Sequence, residues 1–121
     1  MLIDDDPFVA RANILKAMAH PTRLLLLDLL SKGTSCVNEL RSAVGGDTST
    51  VSKHLSVLKH AGIVRDKREG VQVFYALRVP CIMDYLTCVE AVLEVQTQEH
   101  CRMRQELSGI SPMSPKVAES R

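Results

Sequence analysis

Hydrophobic positions change their period along this chain, and the changes predict its elements. Pro7 opens a 3.6-residue pattern (Phe8, Val9, Ala12, Leu15) that ends at Ala19, before His20-Pro21. Pro21 suits the first turn of a second helix, and Arg23 to Leu30 is a nearly continuous leucine run. Such a run predicts a helix buried on most sides. Ser31-Lys32-Gly33 stops it, with Gly33 as the expected C-terminal cap. Thr34 or Ser35 is placed to cap a third helix holding Val37, Leu40 and Val44, and Gly45-Gly46 breaks the chain.

A fourth helix follows. Asp47, Thr48 and Ser49 are all capping residue types. Val51, Leu55 and Leu58 recur at helical spacing, with Ser49, Thr50, Ser52, Lys53, His54 and Ser56 on the other faces. Ala61-Gly62 ends it. The period then drops to two: Ile63 to Lys67 predicts a strand, Arg68-Glu69-Gly70 a turn, and Val71 to Leu77 a second strand. Pro80 is expected to start a fifth helix, whose stripe of Ile82, Tyr85, Leu86, Val89, Val92 and Leu93 runs to about residue 100. From Ser108 the chain is rich in Ser, Pro and Gly and is expected to be disordered. The expected fold is therefore mainly α with a β-hairpin, in the order α-α-α-α-β-β-α. One domain spans 1–107 and a tail spans 108–121.

The 121 residues suffice for one domain, and 45% hydrophobic with 24% charged is an ordinary globular balance. Two Tyr, two Phe and no Trp argue against a base-stacking platform for RNA and against a sugar cleft. No catalytic Ser/His/Asp set, Gly-rich phosphate loop or HExxH helix is present, so an enzyme is not expected. No apolar run reaches membrane-spanning length, and the acidic start MLIDDDPFVA lacks a signal-peptide pattern. A cytoplasmic protein with reduced thiols is expected.

The formal net charge of +1 hides a pattern. Residues 1–10 carry −3 and residues 81–107 carry −3, whereas 11–46 carry +3 and 47–72 carry +2. The basic half coincides with the third helix, the glycine break and the fourth helix, which together form a helix-turn-helix candidate. In that motif the second helix lies in the major groove of duplex DNA. Thr48, Ser49, Thr50 and Ser52 allow close backbone approach, and the helix N-terminus offers free N–H groups to phosphate. Lys53 and His54 can reach phosphate or a base edge. Lys67 and Arg68 at the hairpin would contact the flanking backbone as a wing.

The run KAMAHPTRLLLLDLL…CVNEL…TSTVSKHLSVLKHAGIVRDKREGVQVFYAL resembles the ArsR/SmtB family of bacterial winged-helix repressors. The resemblance rests on His-Pro-x-Arg at 20–23, Ser-x-His-Leu at 52–55, Leu-x-x-Ala-Gly at 58–62 and Arg-Glu-Gly…Phe-Tyr at 68–75. It implies a winged helix-turn-helix, a homodimer joined by the first and last helices, a two-fold operator, and an inducer that releases DNA.

The family's arsenic-type signature, Cys-Val-Cys-Asp-Leu, corresponds here to Cys36-Val37-Asn38-Glu39-Leu40, so one thiol is kept. Positions matching its zinc-type signature are Val79, Cys81, Val92 and Val95, of which Cys81 alone is a ligand type. Thiolates select soft ions. The expected inducer is therefore a thiophilic metalloid or metal, As(III) first, with Sb(III), Cd(II) and Pb(II) as alternatives. Cys36, Cys81 and Cys88 are the candidate ligands, and Cys101 is expected to stand apart. Cys81 and Cys88, placed on one helix, would be separated by about 10.5 Å of rise, too far to chelate one ion unless Cys81 at the helix start swings away or thiols of a partner's helix or Cys36 join them. A thiol-redox or persulfide-responsive repressor on the same scaffold is the alternative. Against its persulfide form, the second helix holds Asp28 and no cysteine. An interaction module that binds protein rather than DNA is the third reading.

Overall fold

A computed structural model describes residues 6–108. It contains α1 (Pro7–Met18), α2 (Pro21–Ser31), β1 (Ser35–Cys36), α3 (Val37–Val44), α4 (Thr48–His60), β2 (Val64–Glu69), β3 (Gln72–Leu77) and α5 (Ile82–Ser108). The tail expected to be disordered falls almost wholly on 109–121, outside the described residues.

Each helix start has a local cause. Asp6 caps α1 by accepting the Phe8 N–H at 2.7 Å, and Pro7 occupies the first turn, where its missing N–H costs nothing. His20 caps α2: its Nδ1 accepts the Thr22 N–H at 3.0 Å, ahead of Pro21. The residue before α3 is Cys36, not Thr34 or Ser35, and its N–H donates to the Glu39 carboxylate at 3.0 Å. Gly33 is likewise displaced as the cap of α2 by Lys32. Gly45 ends α3 at φ 87°, a left-handed conformation that glycine adopts without steric cost, and its N–H reaches the Arg41 carbonyl at 2.8 Å.

The hairpin is longer on its first side than its sequence suggests. Arg68 and Glu69 belong to β2, paired with Val73 and Gln72, so the turn is Gly70-Val71. Gly70 at φ 65° makes this two-residue connection, and Val71 is left 94% exposed at the tip. β1 is a third strand that the hydrophobic pattern does not reveal. It pairs antiparallel with β3 (Ser35 with Tyr75, Cys36 with Phe74), giving the order β1-β3-β2. Two residues are too few to show a period.

The chain divides into two compact units, one ending at Met83 and the other starting at Asp84. The first holds the core. Leu26, Leu27, Leu40, Val51, Leu55, Leu58 and Val64 are almost completely shielded from solvent. Here α2 packs on α3, α4 and β3. The leucine run of α2 is buried on one side, not most: Leu24 and Leu25 are 37% and 41% exposed. The second unit holds α5 from Asp84 onward. Its stripe of Tyr85, Val89, Val92 and Leu93 is more than half exposed.

Leu55 lies at the centre of the first unit with no solvent exposure. Leu55→Ala is expected to cost about 2–5 kcal/mol through lost transfer energy and the cavity left behind. A urea unfolding curve checks this, and a smaller loss would mean that the core collapses around the gap.

Candidate nucleic-acid interface

The side of α4 opposite its buried stripe is a polar surface. Helix α3, the Gly45–Asp47 connection and α4 form a helix-turn-helix, with β2 and β3 beside it as the hairpin. Val51, Leu55 and Leu58 face the core at zero exposure. Helical geometry then turns Thr48, Ser49, Thr50 and Lys53 to solvent, with Ser52 half-buried. Lys67 and Arg68 are exposed on the hairpin, with Lys67 at 3.9 Å from the Glu69 carboxylate. The structure thus collects Thr48, Ser49, Thr50, Ser52 and Lys53 on one helix and Lys67 and Arg68 on the adjoining hairpin.

Two features change the electrostatics read from sequence. The N-terminus of α4 is already capped by an anion. Asp47 Oδ1 accepts the Thr50 N–H at 2.8 Å and the Ser49 hydroxyl at 3.1 Å. The Thr50 backbone N–H chiefly, then the Thr50 and Ser49 hydroxyls, hold this carboxyl below its ordinary range, so it stays charged. A phosphate approaching these N–H groups would meet a carboxylate. The anion-binding role expected for this helix start therefore does not follow. Lys59 is likewise occupied: its Nζ lies 3.0 Å from Asp66 on β2, which raises its pKa and ties α4 to the hairpin. Lys53 on α4 and Arg65, Lys67 and Arg68 on β2 are exposed cations of the helix and hairpin.

His54 is placed differently from its neighbours. It is half-buried, and its Nδ1 accepts from Arg23 Nε at 3.1 Å. Its ring centroid lies 4.4 Å from that of His20, tilted by 43°. Burial first, then the charges of His20 and Arg23, hold its pKa below the ordinary imidazole range. Arg23 also donates to the Ala17 carbonyl at 3.2 Å. Sequence reasoning placed neither Arg23 nor His20 at this surface. The signal was present, since the His-Pro-x-Arg and Ser-x-His-Leu motifs are the two partners of this contact.

The candidate thiols are distributed rather than assembled. Cys36 is buried behind the start of α3, whereas Cys81, Cys88 and Cys101 are exposed. Cys81 lies in the turn before α5 rather than in the helix, because α5 begins at Ile82 and not at Pro80. Among the described residues of one chain, no three His, Cys, Asp or Glu side chains come together in a set able to hold a metal ion.

Helix-turn-helix and hairpin together define a winged-helix DNA-binding protein. Comparison with known proteins agrees. The model of the bacterial regulatory protein, arsR family, matches residues 20–66. The uncharacterized HTH-type transcriptional regulator Rv0081 of Mycobacterium tuberculosis is 37% identical over 84 residues, covering 69% of this chain and 74% of its own. Its crystal structure superposes with a TM-score of 0.70 at 33% identity, covering 79% of this chain and 98% of that one. The biofilm growth-associated repressor of Xylella fastidiosa is 42% identical over 66 residues, 54% of this chain and 58% of its own. A solution structure from Mycobacterium bovis, described as a homodimeric winged helix-turn-helix DNA-binding domain, superposes with a TM-score of 0.68 at 28% identity, covering 83% and 94%. The chain belongs to the arsR family of bacterial regulatory proteins. It is a DNA-binding transcription regulator and not an enzyme. Among the described residues, no helix is long and apolar enough to cross a membrane.

The lowered pKa of His54 has a consequence for stability. The unfolded chain takes up this proton near the ordinary pKa of about 6.5, whereas the folded chain resists it until lower pH. The unfolded state therefore binds more protons in that window. The contribution is full above about pH 6.5 and is lost as pH falls through the folded value. The urea midpoint is expected to fall between about pH 7.5 and 5.5, and less so in His54→Asn. Equal slopes in the two proteins would contradict the assignment.

Proposed function

We propose that this protein is a dimeric transcriptional repressor. It reads a two-fold operator with α4 and the hairpin, and it leaves DNA when a thiophilic metalloid or metal binds cysteine thiolates. The observation that carries the DNA reading is the presentation of Thr48–Lys53 on the free side of a helix pinned by Val51, Leu55 and Leu58. Repression is supported by the name of the Xylella relative. Pairing with a second copy is supported by the homodimeric neighbour and by the exposed apolar stripe of α5. A contiguous exposed stripe of this kind marks an interaction face. The protein acts in the cytoplasm, where its thiols stay reduced.

The inducer reading draws on the exposed Cys81 and Cys88 and on Cys36, which keeps one thiol of the arsenic-type signature. No three-ligand set exists within one chain among the described residues. Three thiolates around As(III), Sb(III), Cd(II) or Pb(II) would thus combine residues of two copies or require movement of the turn holding Cys81. The same dispersion of exposed thiols favours, as a second reading, a repressor switched by thiol oxidation or persulfide, which needs no preformed cage.

Two measurements test these readings. In fluorescence anisotropy with duplex DNA, Lys53→Ala is expected to weaken binding and to lower the salt slope by about one unit. An unchanged slope removes Lys53 from the phosphate contacts. Titrating the reduced protein–DNA complex with arsenite, antimonite, cadmium or lead is expected to release DNA, and Cys81→Ser/Cys88→Ser is expected not to respond. Release by peroxide or by an inorganic polysulfide alone, each of which can accept the two electrons, with a disulfide or polysulfide bridge seen by mass spectrometry, replaces the metal reading with the redox one.

A further inference from the structure

The contact between α2 and the reading helix is polar at one place. Arg23, His54 and His20 meet there, and the hydrogen bonds fix their protonation. Arginine remains protonated at any physiological pH and can only donate. His54 Nδ1, which accepts from Arg23 Nε at 3.1 Å, must therefore carry a lone pair. His54 is neutral with its proton on Nε2, and Nε2–H is the one donor its ring can offer. His20 Nδ1 accepts the Thr22 N–H at 3.0 Å, so it too is unprotonated at Nδ1. Adding a proton to His54 Nδ1 would set N–H against N–H at hydrogen-bond distance. It would also place a second cation against the guanidinium, beside a ring 4.4 Å away.

Among the described residues, the charged and titratable groups acting on His54 are His20, the cap of α2, and Arg23 within it, and no carboxylate is one of them. From α1 come the Ala17 carbonyl, which holds Arg23, and Lys16, which lines a cleft with Arg23 and His60. On the reading helix, Lys53 shares a cleft with His54. From α3 and β2, which also pack on α4, no charged group acts on His54 among the described residues.

We propose that Arg23, His54 and His20 form a proton-sensitive joint between α2 and the reading helix, in which Arg23 positions a neutral His54 and protonation of His54 lowers sequence-specific DNA affinity. The proton comes from solvent, and no covalent bond changes. The consequence for DNA rests on the DNA-reading role proposed above. His54 shares a cleft with Thr50, Ser52 and Lys53, so movement at the joint shifts the residues that would meet the bases. Arg23 acts through His54 and is a positioning residue.

The test uses the full chain and two duplexes of equal length, one selected by the protein from a random library and one scrambled. Their affinities are measured at constant ionic strength between about pH 7.5 and 5.5, a range in which histidine is the side chain that ordinarily titrates. The selected-to-scrambled affinity ratio is expected to fall about fivefold or more, the lower end of usual coupling between sites. His54→Asn keeps an acceptor near the Nδ1 position, cannot titrate, and is expected to give a flat ratio whatever its absolute affinity. Nitrogen-15 spectra of the free protein are expected to show His54 protonated at Nε2 alone at the higher pH, and a mixture of tautomers in Arg23→Met. A wild-type ratio that does not change, a step that survives in His54→Asn, or a His54 protonated at Nδ1 near neutral pH overturns the proposal. Failure of both duplexes to bind at the higher pH overturns the DNA reading instead, and the spectra then still decide the joint.

Discussion

Three aliphatic side chains hold the reading helix in place. Val51, Leu55 and Leu58 are fully buried, and α4 packs through them into a core shared with α2, α3 and β2. Each such burial is worth about 1.5–3 kcal/mol, which is more than any exposed ion pair on this surface can supply. Their spacing fixes the rotation of α4 about its own axis. Once that is fixed, Thr48, Ser49, Thr50 and Lys53 have no choice but to face away from the core. The specificity of the surface is thus a by-product of an apolar constraint.

Charge refines this arrangement without creating it. Asp47 neutralises the positive end of α4, and Asp66 occupies Lys59, so the positive character of the surface falls on Lys53 and the hairpin cations. A surface that binds through a few cations on a rigid frame gains less from non-specific attraction and more from geometry. The joint at Arg23 and His54 belongs to the same economy, since it adds a polar, orientation-dependent contact to an otherwise apolar seam.

Helix α5 stands in contrast to the first unit. Its apolar positions Tyr85, Val89, Val92 and Leu93 recur with helical spacing but remain more than half exposed. The candidate thiols on and beside it are exposed as well. Cys88 lies on α5, Cys81 in the turn before it, and neither belongs to a ligand set formed within one chain. The residues proposed to read DNA all lie in the first unit, whereas no set of ligands for a metal forms among the described residues of one chain.

The sequence by itself determined the helices, the glycine break, the hairpin and the identity of the stripe on α4. All of these depend on periodicity and capping, which act over a few residues. It also carried the family, through motifs that each occupy four to eight positions. Several features were decided only by the tertiary structure, because each joins residues distant in the chain or too few to show a period. Strand β1 exists because β3 offers it an edge. The leucine run of α2 turned out one-sided because the core could cover a single face. His54 was drawn from the DNA-facing set into a contact with Arg23, thirty-one positions earlier, so that two motifs visible separately in the sequence were joined only by the fold.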